Sequence, residues 1–171
     1  ELGRDLAIVY GIIGESQKNS GDLSGAITSY QIAIGLQPAR GELYRGLGGT
    51  LWKAQRLSEA REAFLMAARL NPADSQALLA AADLSVEIGD PHTASALITQ
   101  VKGDSAEIER TRLKVQASGL IAMVQSVSEG ERESGIKTLR RIMLDHPWEP
   151  DVLAAVGYGQ LKLESPQDAL D

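Results

Sequence analysis

The chain contains no cysteine. Disulfides, thiol nucleophiles and cysteine-ligated metals are therefore excluded, while an oxidising compartment is permitted without being indicated. Aromatic residues make up only 4%, so any core must be built from Ala, Leu, Ile and Val, with Gly where backbones come close. That mixture suits tightly packed helices better than a β-sandwich, which draws on Val, Thr and aromatics. Basic charge is also short. The net charge is −6 and the pI about 5.0, so no positive field exists to gather nucleic acid. No apolar run approaches the roughly 20 residues of a membrane span, and no signal-peptide pattern is present. The chain starts at Glu1, not at Met, and is expected to be a processed or excised piece.

The means of catalysis are equally sparse. The two histidines, His92 and His146, are far apart in sequence, and no His/Asp/Glu cluster has metal-ligand spacing. No nucleophile–base pair can be assembled. The Gly-rich run from Gly46 to Thr50 lacks a preceding strand and reads as helix packing, not as a phosphate cradle. Arg140 and Arg141 are too short a basic run to suggest nucleic acid. The expectation is a non-enzyme with no catalytic residue, no cofactor and no metal.

What the chain does have is a period. Pro38 and Pro72 lie 34 residues apart. Counting back from each gives Tyr10, Ile13, Gly14, Ala26, Tyr30, Ala33, Pro38 and then Tyr44, Leu47, Gly48, Ala60, Phe64, Ala67, Pro72, each member of the second series 34 after its counterpart. A third, weaker unit reads Leu78, Ala81, Ala82, Gly89, Ala94, Ile98, Val101, with Ala106 in the place of Pro. A fourth is irregular. Counting back from Pro147 gives Ala122, Gly135, Leu139 and Ile142, with Gly119 where a large residue is expected and seven residues inserted. A fifth gives Leu153, Val156, Gly157 and Ala169.

The expected helices are about 3–19, 23–36, 40–54, 58–70, 73–88, 91–101, 105–127, 132–145 and 150–163, with another starting at 166. The turns Ser20-Gly21-Asp22, Gly89-Asp90-Pro91 and Glu164-Ser165-Pro166 punctuate the hairpins. Asp104, with Glu107 three residues on, is expected to cap the long seventh helix. Residues 107–112 read as a solvated helix face, Glu129 to Glu133 as a polar loop, and Trp148 as a plug between repeats.

These residues resemble the tetratricopeptide repeat family, whose pattern is a large residue, then Leu-Gly, then Ala-x3-aromatic-x2-Ala, then Pro. The resemblance implies an all-α, right-handed superhelical solenoid of about four and a half helical hairpins. Residues 1–171 would form one array, with repeats at about 7–40, 41–74, 75–108, an irregular 109–149 with a long first helix, and a truncated 150–171. The irregular unit is expected to change the curvature locally.

In this family the first helices (A helices) of successive repeats line a concave groove. Carried over by repeat position, the resemblance offers Ile8, Gly11, Ile12, Glu15, Lys18 and Asn19 in the first unit. It offers Glu42, Arg45, Gly46, Gly49, Trp52 and Lys53 in the second, and Gln76, Leu79, Ala80, Asp83, Val86 and Glu87 in the third. The later units add Asp151, Tyr158 and Lys162. The family's carboxylate clamp needs Lys, Asn and Arg at positions held here by Gly11, Glu15, Gly46, Gln76 and Ala80, so the clamp is absent. Trp52 admits two readings, a binding hot spot or a side chain packed between neighbouring A helices.

The function implied is a protein–protein interaction scaffold. The Ala-, Leu- and Gly-rich later repeats resemble in style the periplasmic repeats of bacterial exopolysaccharide export proteins, such as the repeat-bearing component of cellulose synthase complexes. That would place the chain in the periplasm among envelope partners. A cytosolic or pilus-assembly adaptor that holds a peptide or helix, and a regulatory repeat domain fused to a glycosyltransferase or other enzyme, remain alternatives. Self-association through an uncapped C-terminal hairpin is a further expectation.

Overall fold

Short polar loops and helix-terminating residues divide this chain into helices. The computed structural model describes residues 2–103, 105–124, 129–146 and 150. Among them run α1 (Leu2–Ser20), α2 (Leu23–Leu36), α3 (Gly41–Lys53), α4 (Leu57–Leu70), α5 (Ser75–Ile88), α6 (Pro91–Ile98), α7 (Ala106–Val124) and α8 (Glu129–Asp145). Sequential helices pack on each other throughout, and α1 also meets α3, as α5 meets α7. The described residues therefore form an all-helical array of stacked hairpins, with the odd-numbered helices in the first position of each pair. The fifth unit, Asp104, Pro147, Trp148 and the Glu164–Pro166 turn lie outside the described residues.

The period is written into the backbone. Gly21, Gln55 and Gly89 stand 34 residues apart between the two helices of successive hairpins, and all three have left-handed backbone, with φ of 89°, 59° and 85°. Glycine adopts this conformation freely, while Gln55 does so against the clash of its own Cβ. The second helix of a hairpin then begins. Asp22 caps α2 by accepting from Gly25 N at 2.9 Å, and Asp90 caps α6 by accepting from Thr93 N at 3.0 Å. Pro91 occupies the first turn of α6, where its missing N–H is not needed.

The core is made of repeated close approaches. A Cβ on Gly14 would stand 3.0 Å from the Tyr30 ring, and a Cβ on Gly48 would stand 3.0 Å from the Phe64 ring. In each of these hairpins the glycine makes room for an aromatic side chain from the second helix. Tyr30 also reaches the next hairpin, where a Cβ on Gly46 would collide with its ring. In the third hairpin the same two places hold Ala82 and Ile98, both buried. One large cluster runs from Ile27 through Phe64 and Leu84 to Val115, and a separate small one gathers Leu113, Ala117 and Ile142 between α7 and α8.

Two local expectations differ from the structure. Glu129 to Glu133 begin α8 and do not form a loop; acidic residues suit the positive end of a helix, which overrides their polarity as a loop signal. The sixth helix stops at Ile98, short of 101. There Thr99 Oγ1 and Gln100 Nε2 both donate to the Ala96 carbonyl, at 2.8 and 3.0 Å, and compete with the helical ladder. At the start of α7, the hydroxyl of Ser105 accepts from Ile108 N at 3.3 Å.

Candidate interaction face

The A helices α1, α3 and α5 carry the described residues singled out from the repeat register, and polar bonds link α3 to α5 and α5 to α7. Arg45 on α3 donates through Nη1 to Gln76 Oε1 on α5 at 2.6 Å, and its Nε stands 3.4 Å from Asp74. Asp74 is at the same time the cap of α5, accepting from Ala77 N at 3.1 Å. Trp52 donates through Nε1 to Glu87 Oε2 at 3.3 Å. Its half-buried ring meets the edge of Phe64, with centroids 6.3 Å apart and planes at 85°. Asp83 on α5 pairs with Lys114 on α7. Trp52 thus packs against its own hairpin, bridges to the next one, and stays partly open to solvent.

On α1, Glu15 gathers its partners locally. Lys18 Nζ lies 2.7 Å from Glu15 Oε2, and the Tyr30 hydroxyl donates to the same oxygen at 2.7 Å. The hydrogen bond from Lys18, then that from Tyr30, holds the Glu15 carboxyl below the ordinary carboxylate range, with Asn19 contributing a weaker bond. Burial, reinforced by the bond to Glu15, pushes the Tyr30 phenol well above its usual value. Glu42 turns away to Arg40, 3.1 Å distant. Lys53 is exposed.

Between these polar residues lie small ones. Gly49 has nothing within 4 Å of where a Cβ would sit. Gly46 and Ala80 are partly exposed, and Ile12 is 65% exposed. The structure therefore brings Arg45, Trp52, Lys53, Gln76, Asp83 and Glu87 onto α3 and α5 as neighbours, with Glu15, Lys18 and Asn19 on α1. Tyr158, Asp151 and Lys162 lie outside the described residues. Among the described residues no group of three His, Asp or Glu converges in a way that could hold a metal ion, and no helix is long and apolar enough to cross a membrane.

Two partners escaped the sequence reading. Lys114 sits 31 residues after Asp83, the same separation as Arg45 and Gln76. That shared separation was the available signal, but the insertion in the fourth unit hid it. Arg61 reaches Asp90 Oδ2 at 3.2 Å, on the side of the second helices, while its buried Nε has no partner. Hydrogen bonds from Thr93, then the charge of Arg61, hold the Asp90 carboxyl below its ordinary range.

Comparison with known proteins agrees with this architecture. Residues 13–75 match the family model described as Tetratricopeptide repeat. No curated protein matches the chain significantly. Among solved structures, MamA superposes with a TM-score of 0.68 at 17% identity, covering 97% of this chain and 87% of MamA. YrrB, described as a TPR protein with an unusual peptide-binding site, gives 0.65 at 17% identity, covering 96% and 81%. The first TPR of Spaghetti (RPAP3), bound to the HSP90 peptide SRMEEVD, gives 0.62 at 16% identity, covering 66% and 91%. At these identities the likeness is one of fold, and the fold is that of tetratricopeptide arrays.

Proposed function

We propose that this chain, a tetratricopeptide-type array by fold, is a non-catalytic scaffold that holds a segment of another protein against the A-helix face of α1, α3 and α5. The observation that carries this reading is the open ground at Gly49 and the partly exposed Ala80, with the half-buried Trp52 and the exposed Lys53 beside it. Trp is favoured where binding energy concentrates, because it offers a large area at low entropic cost. Two of the structural neighbours, YrrB and the Spaghetti domain, are peptide binders by description, which supports a protein ligand here. Gly11, Glu15, Gly46, Gln76 and Ala80 replace the cationic clamp, so a terminal carboxylate is not the expected anchor.

We place the scaffold in a bacterial envelope assembly for exopolysaccharide export, of the kind that makes cellulose, on the resemblance of its Ala- and Gly-rich repeats to those of such export proteins. Photo-cross-linking in vivo from Arg45, Trp52 and Asp83 tests both parts. The expected result is one shared partner protein from the three positions, with the yield cut by Lys53→Glu at unchanged melting temperature. Cross-links that scatter, or that ignore Lys53→Glu, overturn the groove. A shared partner that is a cytosolic protein overturns the envelope assignment and leaves the scaffold standing.

A further inference from the structure

The polar ties between A helices fix how those helices lie against one another. Arg45 on α3 meets Gln76 on α5, and Asp83 on α5 meets Lys114 on α7, each partner 31 residues further on. Gly49 stands four residues past Arg45, and Ala80 four past Gln76. Ala80 also stands three before Asp83, and Thr111 three before Lys114. Arg45–Gln76 and Trp52–Glu87 advance together, so α3 and α5 run the same way. The register therefore sets Gly49, Ala80 and Thr111 in one row across three helices. All three are partly exposed, and at Gly49 nothing lies within 4 Å of where a Cβ would sit. Larger side chains border the row, Arg45 and Gln76 on one side, Trp52, Asp83 and Lys114 on the other.

The ties also decide what can lie there. Arg45–Gln76 and Trp52–Glu87 both cross the furrow between α3 and α5, and Asp83–Lys114 crosses the furrow between α5 and α7. A helix laid lengthwise in either furrow would have to displace them. Across the helices the passage is narrow. Arg45 and Trp52 are seven residues apart, about 10 Å of helix axis before their side chains are counted. An α-helix is about 10–12 Å wide with its side chains, while an extended backbone takes about 5 Å. The charges beside the row on α3 and α5 are already paired, Arg45 with Asp74 and Asp83 with Lys114. Trp52 gives its N–H to Glu87, and Thr111 gives its hydroxyl to the Glu107 carbonyl at 3.0 Å. A ligand charge pressed onto Gly49 or Ala80 would lose its water without gaining a free counter-charge from these groups.

We infer that the segment held on this face is an extended, uncharged stretch of its partner, crossing α3, α5 and α7 along Gly49, Ala80 and Thr111. This rests on the scaffold reading above and narrows its ligand from peptide or helix to the extended form. Packed helices stand about 8–10 Å apart, and extended chain advances about 3.3 Å per residue. Each A helix therefore meets every third residue of the ligand, and about six residues carry it from α3 to α7.

A phage-displayed library of random peptides, selected on the 171-residue chain, supplies the probe. The best binder is synthesised with both termini blocked and titrated by calorimetry. Gly49→Leu fills the row and is expected to weaken binding by more than about tenfold. It should also raise the melting temperature, because leucine forms helix better than glycine. Gly35→Leu is the control, at an exposed glycine on α2 with nothing within 4 Å of its Cβ position. It should raise the melting temperature likewise and leave the affinity unchanged, which separates lost binding from lost fold. Carbon chemical shifts of the isotope-labelled bound peptide should be those of extended chain, and Asp or Lys in place of the residue nearest Gly49 should weaken it. Helical shifts in the bound peptide, or a preferred charge over Gly49, overturn the inference and leave the scaffold standing. So does affinity that survives Gly49→Leu but falls with Lys53→Glu. A library that yields no binder, or only binders indifferent to both substitutions, overturns the A-helix groove itself.

Discussion

The second and third hairpins solve the same problem with opposite economies. The second, α3–α4, fills its interior with Phe64 over Gly48 and the edge of Trp52 against it. Its turn, however, forces Gln55 into left-handed backbone, and its second helix has Arg56 at the N-cap with no side-chain cap bond. The third, α5–α6, has only Ala82 and Ile98 at the corresponding core positions. Its turn is Gly89, and its cap, Asp90, both accepts from Thr93 and pairs with Arg61. Core packing and turn chemistry are thus separate sources of stability in one repeat frame, and a unit weak in one is compensated by the other.

The largest test removes the aromatic that distinguishes the two. Phe64→Ala leaves a cavity beside Gly48 and strips the Trp52 edge contact, and is expected to cost about 3–5 kcal/mol. In urea titration it should lower the midpoint and deprotect the amides of α3 to α5 in hydrogen exchange. Ile98→Ala is expected to cost less, nearer about 2 kcal/mol, because a smaller side chain is deleted. Equal losses would show that the aromatic gives the second hairpin no advantage.

A smaller effect of opposite sign comes from exchanging the turns. Gln55→Gly relieves the left-handed strain and is expected to stabilise by about 1 kcal/mol, while Gly89→Gln is expected to cost about 1–2 kcal/mol. Thermal melting of the two single variants and of the double exchange reads both signs. A destabilising Gln55→Gly would break the argument that the second hairpin carries strain in its turn.

The smallest expected effect is a dependence on pH that belongs to the first hairpin. Glu15 has its carboxyl below the ordinary value when folded, so its contribution is present above the unfolded carboxylate range and lost as pH falls through the lower folded value. Tyr30 is displaced upward, so its contribution is full below the ordinary phenol range and erodes as pH rises beyond it. Glu15→Gln should flatten the acid limb of the melting-temperature profile and leave Phe64→Ala unchanged in its cost. An unaltered acid limb would assign that limb to other carboxylates, with Asp90, also held low by Thr93 and Arg61, the next to replace.

The contrast between hairpins also explains what could be read in advance. The matched residues and the turn residues determine where helices start and stop because each acts locally: Pro38 and Pro72 break a helix, Gly21 and Gly89 reverse the chain, and Ala and Gly admit close packing. Among the described residues the helix boundaries accordingly fell within a few residues of expectation. The links between units were not legible. Whether Arg45 meets Gln76, or Trp52 meets Glu87, depends on the rotation of one hairpin against the next, which no residue encodes alone. Asp83–Lys114 was further hidden by the insertion in the fourth unit.

The links Arg45–Gln76, Trp52–Glu87 and Asp83–Lys114 all tie one A helix to the next. Arg61–Asp90 is a tie on the side of the second helices. Surface polar contacts of this kind are worth little apiece and reform readily, whereas the apolar layers between hairpins give way only together. Under a modest pull on the described hairpins, these polar ties are therefore expected to open before the apolar layers separate.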